Sequence, residues 1–296
     1  MRRLLNRFRA LATAANLAPF VPAGHFYSPI VDTAVAVTEK ERLWPVPPMA
    51  AGIEWNDEHH VHLLTEIFPR FLPLYDYAEV LTDGPDLVEF YTKNQQFSWL
   101  DARALFVLLH AWRPQRIIEV GSGYSSLLMA DVNRRWFDGK IHFTCIEPYP
   151  RAFLENRLLG ITRLIADKVQ NVALAEFAKL AAGDILFIDS SHVAKTGSDV
   201  NHLYFNVLPA LAPGVLIHIH DIFLPLEYPQ AWVIDDNRSW NEQYLVHALL
   251  MYSHGLRVEF GSSYAFQTFP ELVIKALAHP RGHGFGGGSL WLTKLV

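Results

Sequence analysis

Residues 117–126 read Ile117-Ile118-Glu119-Val120-Gly121-Ser122-Gly123-Tyr124-Ser125-Ser126: a short strand of buried character, a glycine turn and the first turn of a helix. That order lets a ligand approach the backbone and the helix N-terminus closely at the carboxyl end of a strand. A third glycine, which a dinucleotide-binding turn would place at Ser126, is absent. Glu119 is the odd member. A carboxylate on a strand that otherwise reads as core is costly to bury alone, so a cationic partner is expected beside it.

Downstream of this stretch, short apolar runs alternate with helical ones. Strands are expected at Ile117–Val120, Ile141–Glu147, Arg163–Ile165, Asp184–Asp189 and Val215–Asp221. Helices are expected from Ser125, around Arg151–Leu159, near Ala173–Leu180 and near Asp199–Leu211. The alternation is that of right-handed βαβ units around a parallel sheet covered on both faces, a doubly wound α/β fold. Then come a Pro- and Trp-rich loop (Phe223–Trp240), a helix (Asn241–Tyr252), a strand (Leu256–Phe260) and a strand at Ser289–Val296 behind Gly286, Gly287 and Gly288. This final pair is expected to close the sheet as an antiparallel C-terminal edge.

Upstream, Met1–Leu17 carries Arg2, Arg3, Arg7 and Arg9 between Leu4, Leu5, Phe8 and Leu11, a basic amphipathic helix. The stretch Pro19–Pro48 is broken by prolines. Apolar residues spaced by three and four over Asn56–Phe71 predict a helix capped by Asn56 or Asp57, and a further helix is expected over Trp99–Trp112 behind Ser98. The organisation expected is a helical and irregular N-terminal region, 1–98, serving as a lid or substrate cap, followed by an α/β domain, 99–296.

Composition narrows the function. Of 296 residues 51% are hydrophobic and 19% charged, a globular balance that excludes disorder as the main state. Twenty-five basic against thirty acidic residues give a net charge of −5, so nucleic acid is not the expected partner. No apolar run is long enough for a transmembrane segment. The single cysteine, Cys145, reads as buried core in a reducing, cytoplasmic setting.

Glu147 ends the strand after the glycine turn, where such folds grip two ribose hydroxyls. A ligand with both a ribose and a positive, non-phosphate group is S-adenosylmethionine (SAM). The run Glu119–Gly123, the strand-end Glu147 and Ile185-Leu186-Phe187-Ile188-Asp189-Ser190-Ser191-His192 resemble a class I SAM-dependent methyltransferase. The nearer likeness is to the bacterial branch with motifs like His218-Ile219-His220-Asp221-Ile222-Phe223 and Gly287-Gly288-Ser289-Leu290-Trp291-Leu292. It spans about Pro114–Val296, with a fainter echo in Gly24-His25-Phe26-Tyr27-Ser28-Pro29. The resemblance implies a Rossmann-like, mostly parallel sheet. It also implies that Glu119, Gly121, Ser122, Gly123 and Tyr124 surround the methionine moiety, that Glu147 holds the ribose, and that Asp167 with Val169 or Gln170 borders the adenine, with Asp189 at the same edge.

Asp189, His192, His220 and Asp221 all fall near the carboxyl edge that bears the glycine turn, and are the expected catalytic group. Methyl transfer from a sulfonium needs alignment and removal of the acceptor's proton. Asp189 and Asp221 would hold Mg2+ or another divalent cation that lowers the acceptor's pKa, or a histidine would act as general base. His220 stands where metal-dependent relatives commonly have an acid. His218 is expected as a core histidine, and His59, His60 and His62 as surface residues. The aromatic loop with Tyr228, Trp232 and Trp240 would stack on an acceptor or anchor a homodimer. Upstream, Tyr91, Asn94, Phe97, Ser98 and Asp101 read as helix packing and capping ahead of a lid over the cofactor. The expected activity is O-methylation of a small-molecule or glycan acceptor. An NAD(P)-dependent oxidoreductase and a non-catalytic SAM-binding scaffold are the alternatives.

Overall fold

The computed structural model describes residues 19–46, 48, 51–84, 86–94, 96–97, 99–156, 160–277 and 287–296. The expected basic helix at 1–17, the cap Ser98 and Gly286 lie outside the described residues.

Seven strands form one sheet: β1 (Arg116–Val120), β2 (His142–Ile146), β3 (Arg163–Ile165), β4 (Ile185–Ile188), β5 (Leu216–Ile219), β6 (Leu256–Gly261) and β7 (Leu290–Lys294), in the order β3-β2-β1-β4-β5-β7-β6. The first five run parallel and β7 is antiparallel to both β5 and β6. The doubly wound α/β architecture and its antiparallel C-terminal edge are therefore present. Within that edge the antiparallel strand is β7, one place in, and β6 is outermost. The central strands β1, β4 and β5 are buried along nearly their whole length because both faces are covered. Ile117, Cys145, Phe187 and Trp291 pack with the Trp99–Trp112 and Tyr124–Trp136 helices. Ile118, Ile146, Ile188 and Ile219 pack on the other side with Leu203, Val207 and Val246.

Strand order reverses between β1 and β4, which pair Val120 with Ile188. Chain crossing to opposite sides leaves a crevice there. The N-terminal end of the same pair is held by Asp184, whose carboxylate accepts from the backbone N–H groups of Gln115, Arg116 and Ala181 at 3.0, 2.8 and 3.0 Å.

The helix expected over Asn56–Phe71 is present as three segments, Asp57–His62, a π-helical turn Leu63–Ile67 and Phe68–Phe71. Pro69 has no N–H to donate to the fourth carbonyl back, so the chain widens and Phe68 N–H donates to Leu63 O. Pro209 acts in the same way after Leu203–Val207, where Leu208 N–H donates to Leu203 O. The expected cap at Asn56 is not formed by its side chain. Asn56 sits at φ 59° and its amide donates to Val258 O at 3.0 Å, tying the helix to β6. Two helices, Ser262–Thr268 and Pro270–Leu277, occupy the connection after β6 that reads only as a glycine- and histidine-bearing link.

Contacts divide the chain into two compact units, residues 1–48 with 227–239 and residues 49–226 with 240–296. Residues 49–98, which the sequence places ahead of the α/β domain, thus share a unit with the sheet. In the smaller unit, Asp32 caps the Thr33–Thr38 helix through Ala34 and Val35 N–H, Val31 N–H donates to Ser239 Oγ, and the Trp44 indole donates to Tyr228 O. Among the described residues no helix is long and apolar enough to cross a membrane.

Asp184→Ala would leave three backbone donors at the base of the sheet without their acceptor. It is expected to cost about 2 to 4 kcal/mol, measured as a fall in the urea midpoint at unchanged m-value.

Candidate functional site

The glycine turn is shaped by close approach. Gly121 has φ +83°, and a Cβ there would lie 1.7 Å from the Asp189 carbonyl oxygen. Asp189 N–H in turn donates to Val120 O at 2.8 Å. The tips of β1 and β4 are therefore pressed together, and beside them opens a cavity of about 570 Å3 lined by Gly121, Glu147, Val169, Gln170, Asp189 and Lys195, among others.

Glu147 is fixed rather than free. Its Oε2 accepts from Ser122 N–H at 3.1 Å and its Oε1 from Tyr149 N–H at 2.8 Å. Each oxygen keeps a lone pair for a ligand hydroxyl. Val169 and Gln170 line the same cavity. Asp167, expected at the adenine, is not among its lining residues. Its carboxylate instead accepts from Lys168 N–H and the Asn171 amide, closing the turn that carries Val169. Tyr124 is also engaged elsewhere, donating to Asp83 at 2.6 Å.

Among the described residues Glu119 has no cationic partner. It is fully buried beneath the turn, where Ser125 Oγ donates to Oε1 at 2.6 Å and the Ser126 hydroxyl and Cys145 thiol donate to Oε2. Ser126 Oγ also accepts from Gly123 N–H at 2.9 Å, so the carboxylate holds the glycine turn through a serine. Neutral donors satisfy its hydrogen bonds without balancing its charge. Burial pushes its carboxyl up to about 7 against those hydrogen bonds.

Asp189, His192, His220 and Asp221 do come together. His192 Nε2 lies 3.4 Å from both Asp189 Oδ1 and Asp221 Oδ2, while His220 Nδ1 lies 3.4 Å from Asp189 Oδ1 and 3.6 Å from Asp221 Oδ1. Two residues that sequence reasoning did not assign to the site complete the group. Glu242 Oε2 meets His192 Nδ1 at 2.9 Å and Asp101 Oδ2 faces His220 Nε2 at 3.6 Å. Asp101 stands near the start of a helix buried along most of its length, so the signal was the same as for Glu119: an acid among core residues. Glu242 follows Asn241 at a helix start and carries no such signal.

Each member is locally constrained. Asp221 sits at φ 56° and His192 at φ 60°, a conformation side chains other than glycine rarely adopt and one that gathers at functional sites. Asn241 and Glu242 N–H both donate to His192 O, which clamps the segment after β4 to the Glu242–Tyr252 helix. Asp101 accepts from Gly288 and Ser289 N–H at 2.9 and 3.0 Å.

Burial alone would lower both imidazoles. For His192 the hydrogen bonds to Asp189 and Glu242 and the charge of Asp221 outweigh it and push the ring up to about 10. The charges of Asp221 and Asp189 and the bond to Asp101 likewise hold His220 well above its usual value. Burial would raise Asp189, yet His220 and His192 hold it below the carboxylate range. Asp221 is raised, burial outweighing the two imidazoles. Both imidazoles are thus biased toward their protonated forms by the carboxylates around them.

His218 is a core residue as expected, stacked on Phe187 at 3.7 Å with Nε2 at 2.9 Å from Ser289 Oγ. His60 departs from the surface expectation. It is fully buried, its Nε2 accepts from Gly261 N–H, and burial lowers its pKa to about 4. His59 pairs with Glu259 at 3.0 Å.

Residues 118–222 match the family model of a methyltransferase domain, the span from β1 through Asp221 and Ile222. The chain belongs to the class I SAM-dependent methyltransferases. Over 177 residues this methyltransferase is 35% identical to an uncharacterized protein of Archaeoglobus fulgidus, covering 58% of the chain and 79% of that relative. Among solved structures, one from Klebsiella pneumoniae described as an O-methyltransferase aligns over 80% of this chain and 90% of its own, at 17% identity and TM-score 0.40. The CurJ carbon methyltransferase aligns over 66% and 54%, at 11% identity and TM-score 0.34.

An acid whose folded pKa is raised contributes stability at low pH that is lost as pH rises through the folded value. Wild-type stability is therefore expected to lose a contribution on the order of 3 kcal/mol between pH 4.5 and 7 from Glu119. Glu119→Gln should remove it, seen as a flatter dependence of Tm on pH in that window than wild type shows.

Proposed function

We propose that this methyltransferase transfers the SAM methyl group to a hydroxyl oxygen of a small-molecule or glycan acceptor. The observation that carries the reading is that Asp189 belongs to two structures at once. It lines the 570 Å3 cavity, and its Oδ1 is shared by His192 and His220. A cofactor in that cavity and an acceptor against the cluster would meet at one carboxylate.

The cavity suits a nucleoside-sized ligand. Glu147 offers acceptor lone pairs for the ribose hydroxyls, and Gly121 lets the ligand lie against backbone. When bound, SAM supplies a methyl group on a good leaving group, so the chain's task is alignment and proton removal. Glu242 holds His192, and Asp101 holds His220, so that both rings face Asp189 and Asp221. The Asp221 carboxylate, raised by burial, is the group placed to take the acceptor's proton.

The donor set also fits a divalent cation: one ligand atom each from Asp189, His220 and Asp221 lie within 4.8 Å of one another. Those three residues would hold it, and when bound it would polarise the acceptor oxygen.

Calorimetric titration with S-adenosylhomocysteine (SAH), beside NAD and NADP, tests the cofactor half. Micromolar binding of SAH alone is expected, weakened by about 1 to 3 kcal/mol in Glu147→Ala. Unchanged affinity in that variant, or preference for a dinucleotide, would reject the reading. His220→Ala should keep SAH affinity and lose methyl transfer to an acceptor hydroxyl; transfer at the wild-type rate would remove the cluster from the reaction.

A further inference from the structure

We infer that the smaller unit, residues 1–48 with 227–239, attaches the protein to the surface of an anionic lipid bilayer, with Phe26 and Tyr27 entering the interface and Arg2, Arg3, Arg7 and Arg9 meeting the headgroups. The inference is independent of the methyl-transfer reading and goes beyond it.

The first argument is where the unit keeps its apolar side chains. Among the described residues twenty large apolar side chains are exposed, and eight of them fall within residues 19–46. Phe20 is 93% exposed, Phe26 80%, Tyr27 69% and Val46 96%. The buried apolar residues described in the same unit are Ala36, Tyr228 and Val233. Single exposed apolar residues are ordinary on a soluble protein, whereas a unit that exposes more of them than it buries marks an interaction surface.

The second argument is the geometry of the aromatic pair. Phe26 and Tyr27 stand at the tip of a closed turn, in which Gly24 N–H donates to Ile30 O at 3.2 Å, Ser28 N–H to His25 O at 2.6 Å and Ile30 N–H to Ser28 Oγ at 3.1 Å. The rings of His25, Phe26 and Tyr27 follow one another with centroids 4.3 and 4.2 Å apart. Just past the neck, Val31 N–H is tied to Ser239 Oγ. Two adjacent rings are thus held outward before anything covers them, so little conformational freedom is lost on docking. A tyrosine beside a phenylalanine suits a boundary with one apolar and one wet side, because the phenol stays among the headgroups.

The third argument is charge, and it selects the occupant. Residues 1–18 lie outside the described residues and lead directly into Phe20. Their sequence sets the four arginines among Leu4, Leu5, Phe8 and Leu11, and all thirty acidic residues of the chain lie from Asp32 onward. Positive charge without counter-charge is therefore concentrated in the stretch that runs into the aromatic turn. A second copy docking through the same end would set arginines against arginines. Anionic headgroups complement them and also accept the neighbouring apolar side chains. No helix among the described residues is long and apolar enough to cross a membrane, so the attachment is one of surface contact.

The test is flotation of the full chain with vesicles of phosphatidylcholine alone and of equal parts phosphatidylcholine and phosphatidylglycerol. Binding to the anionic vesicles is expected to be about tenfold or more tighter than to the neutral ones, and to weaken as salt rises. Phe26→Ser combined with Tyr27→Ser should weaken it about tenfold or more with Tm unchanged. Glutamine in place of the four arginines should bring it down to the level seen with neutral vesicles. A nitroxide placed through Phe26→Cys, with Cys145 buried, should lose access to a water-soluble nickel chelate on the anionic vesicles. No flotation, equal flotation with both vesicle types, or anionic binding that the two serine substitutions leave unchanged would overturn the inference. So would a concentration-dependent dimer that the same substitutions abolish in a protein that ignores vesicles, which would assign the surface to a second copy.

Discussion

The contact between Gly121 and the Asp189 carbonyl is the constraint on which the site is built. Two parallel strands meet at the point where sheet order reverses, and the turn leaving one must pass against the backbone leaving the other. Only a residue without a side chain passes there. Because it does, the cavity has a floor of main chain, Asp189 is presented at the rim, and the segment that follows can bring His192 back toward Asp221. Glu119 supports the same turn from beneath through Ser125 and Ser126.

The electrostatics follow from where the elements end. Asp189 and His192 come from the segment after β4, His220 and Asp221 from the end of β5, Asp101 from the Trp99–Trp112 helix and Glu242 from the Glu242–Tyr252 helix. Four parts of the chain converge with a carboxylate or an imidazole each, and burial strengthens every interaction among them. The imidazoles are driven up and Asp189 down by the same proximity, so the cluster acts as one unit.

The sheet was legible because its inner strands are short apolar runs, those of β1, β2 and β4 followed directly by Gly121, Glu147 and Asp189, and because helices fill the intervals. Glu147 and the four-residue cluster were legible as polar groups gathered at strand tips. Glu119 was read correctly as buried, and its partners among the described residues are the neutral Ser125, Ser126 and Cys145. Serines six and seven residues after it satisfy it once the helix forms, a geometry that linear spacing does not display. Asp101 was read as helix packing and capping ahead of a lid, and Glu242 was given no chemical role, because each sits at a helix start, where an acid has an ordinary role next to the helix dipole. The π-turns and the cap at Asn56 were missed for a related reason. Pro69 and the Val258 carbonyl decide them, and the second lies about two hundred residues away. His60 is buried by β6, which local periodicity cannot reveal.

The placement of β7 between β5 and β6 bears on the order in which the chain can assemble. During synthesis β5 and β6 both emerge before the strand that joins them. Until β7 arrives the outer edge of β5 is unpaired and β6 has no neighbour in the sheet. Such edges template association with other chains. The two helices between β6 and β7, Ser262–Thr268 and Pro270–Leu277, give the nascent chain local structure during that interval. The same late strand brings Gly288 and Ser289 to Asp101, so the histidine–carboxylate cluster is finished only when its final sheet partner docks.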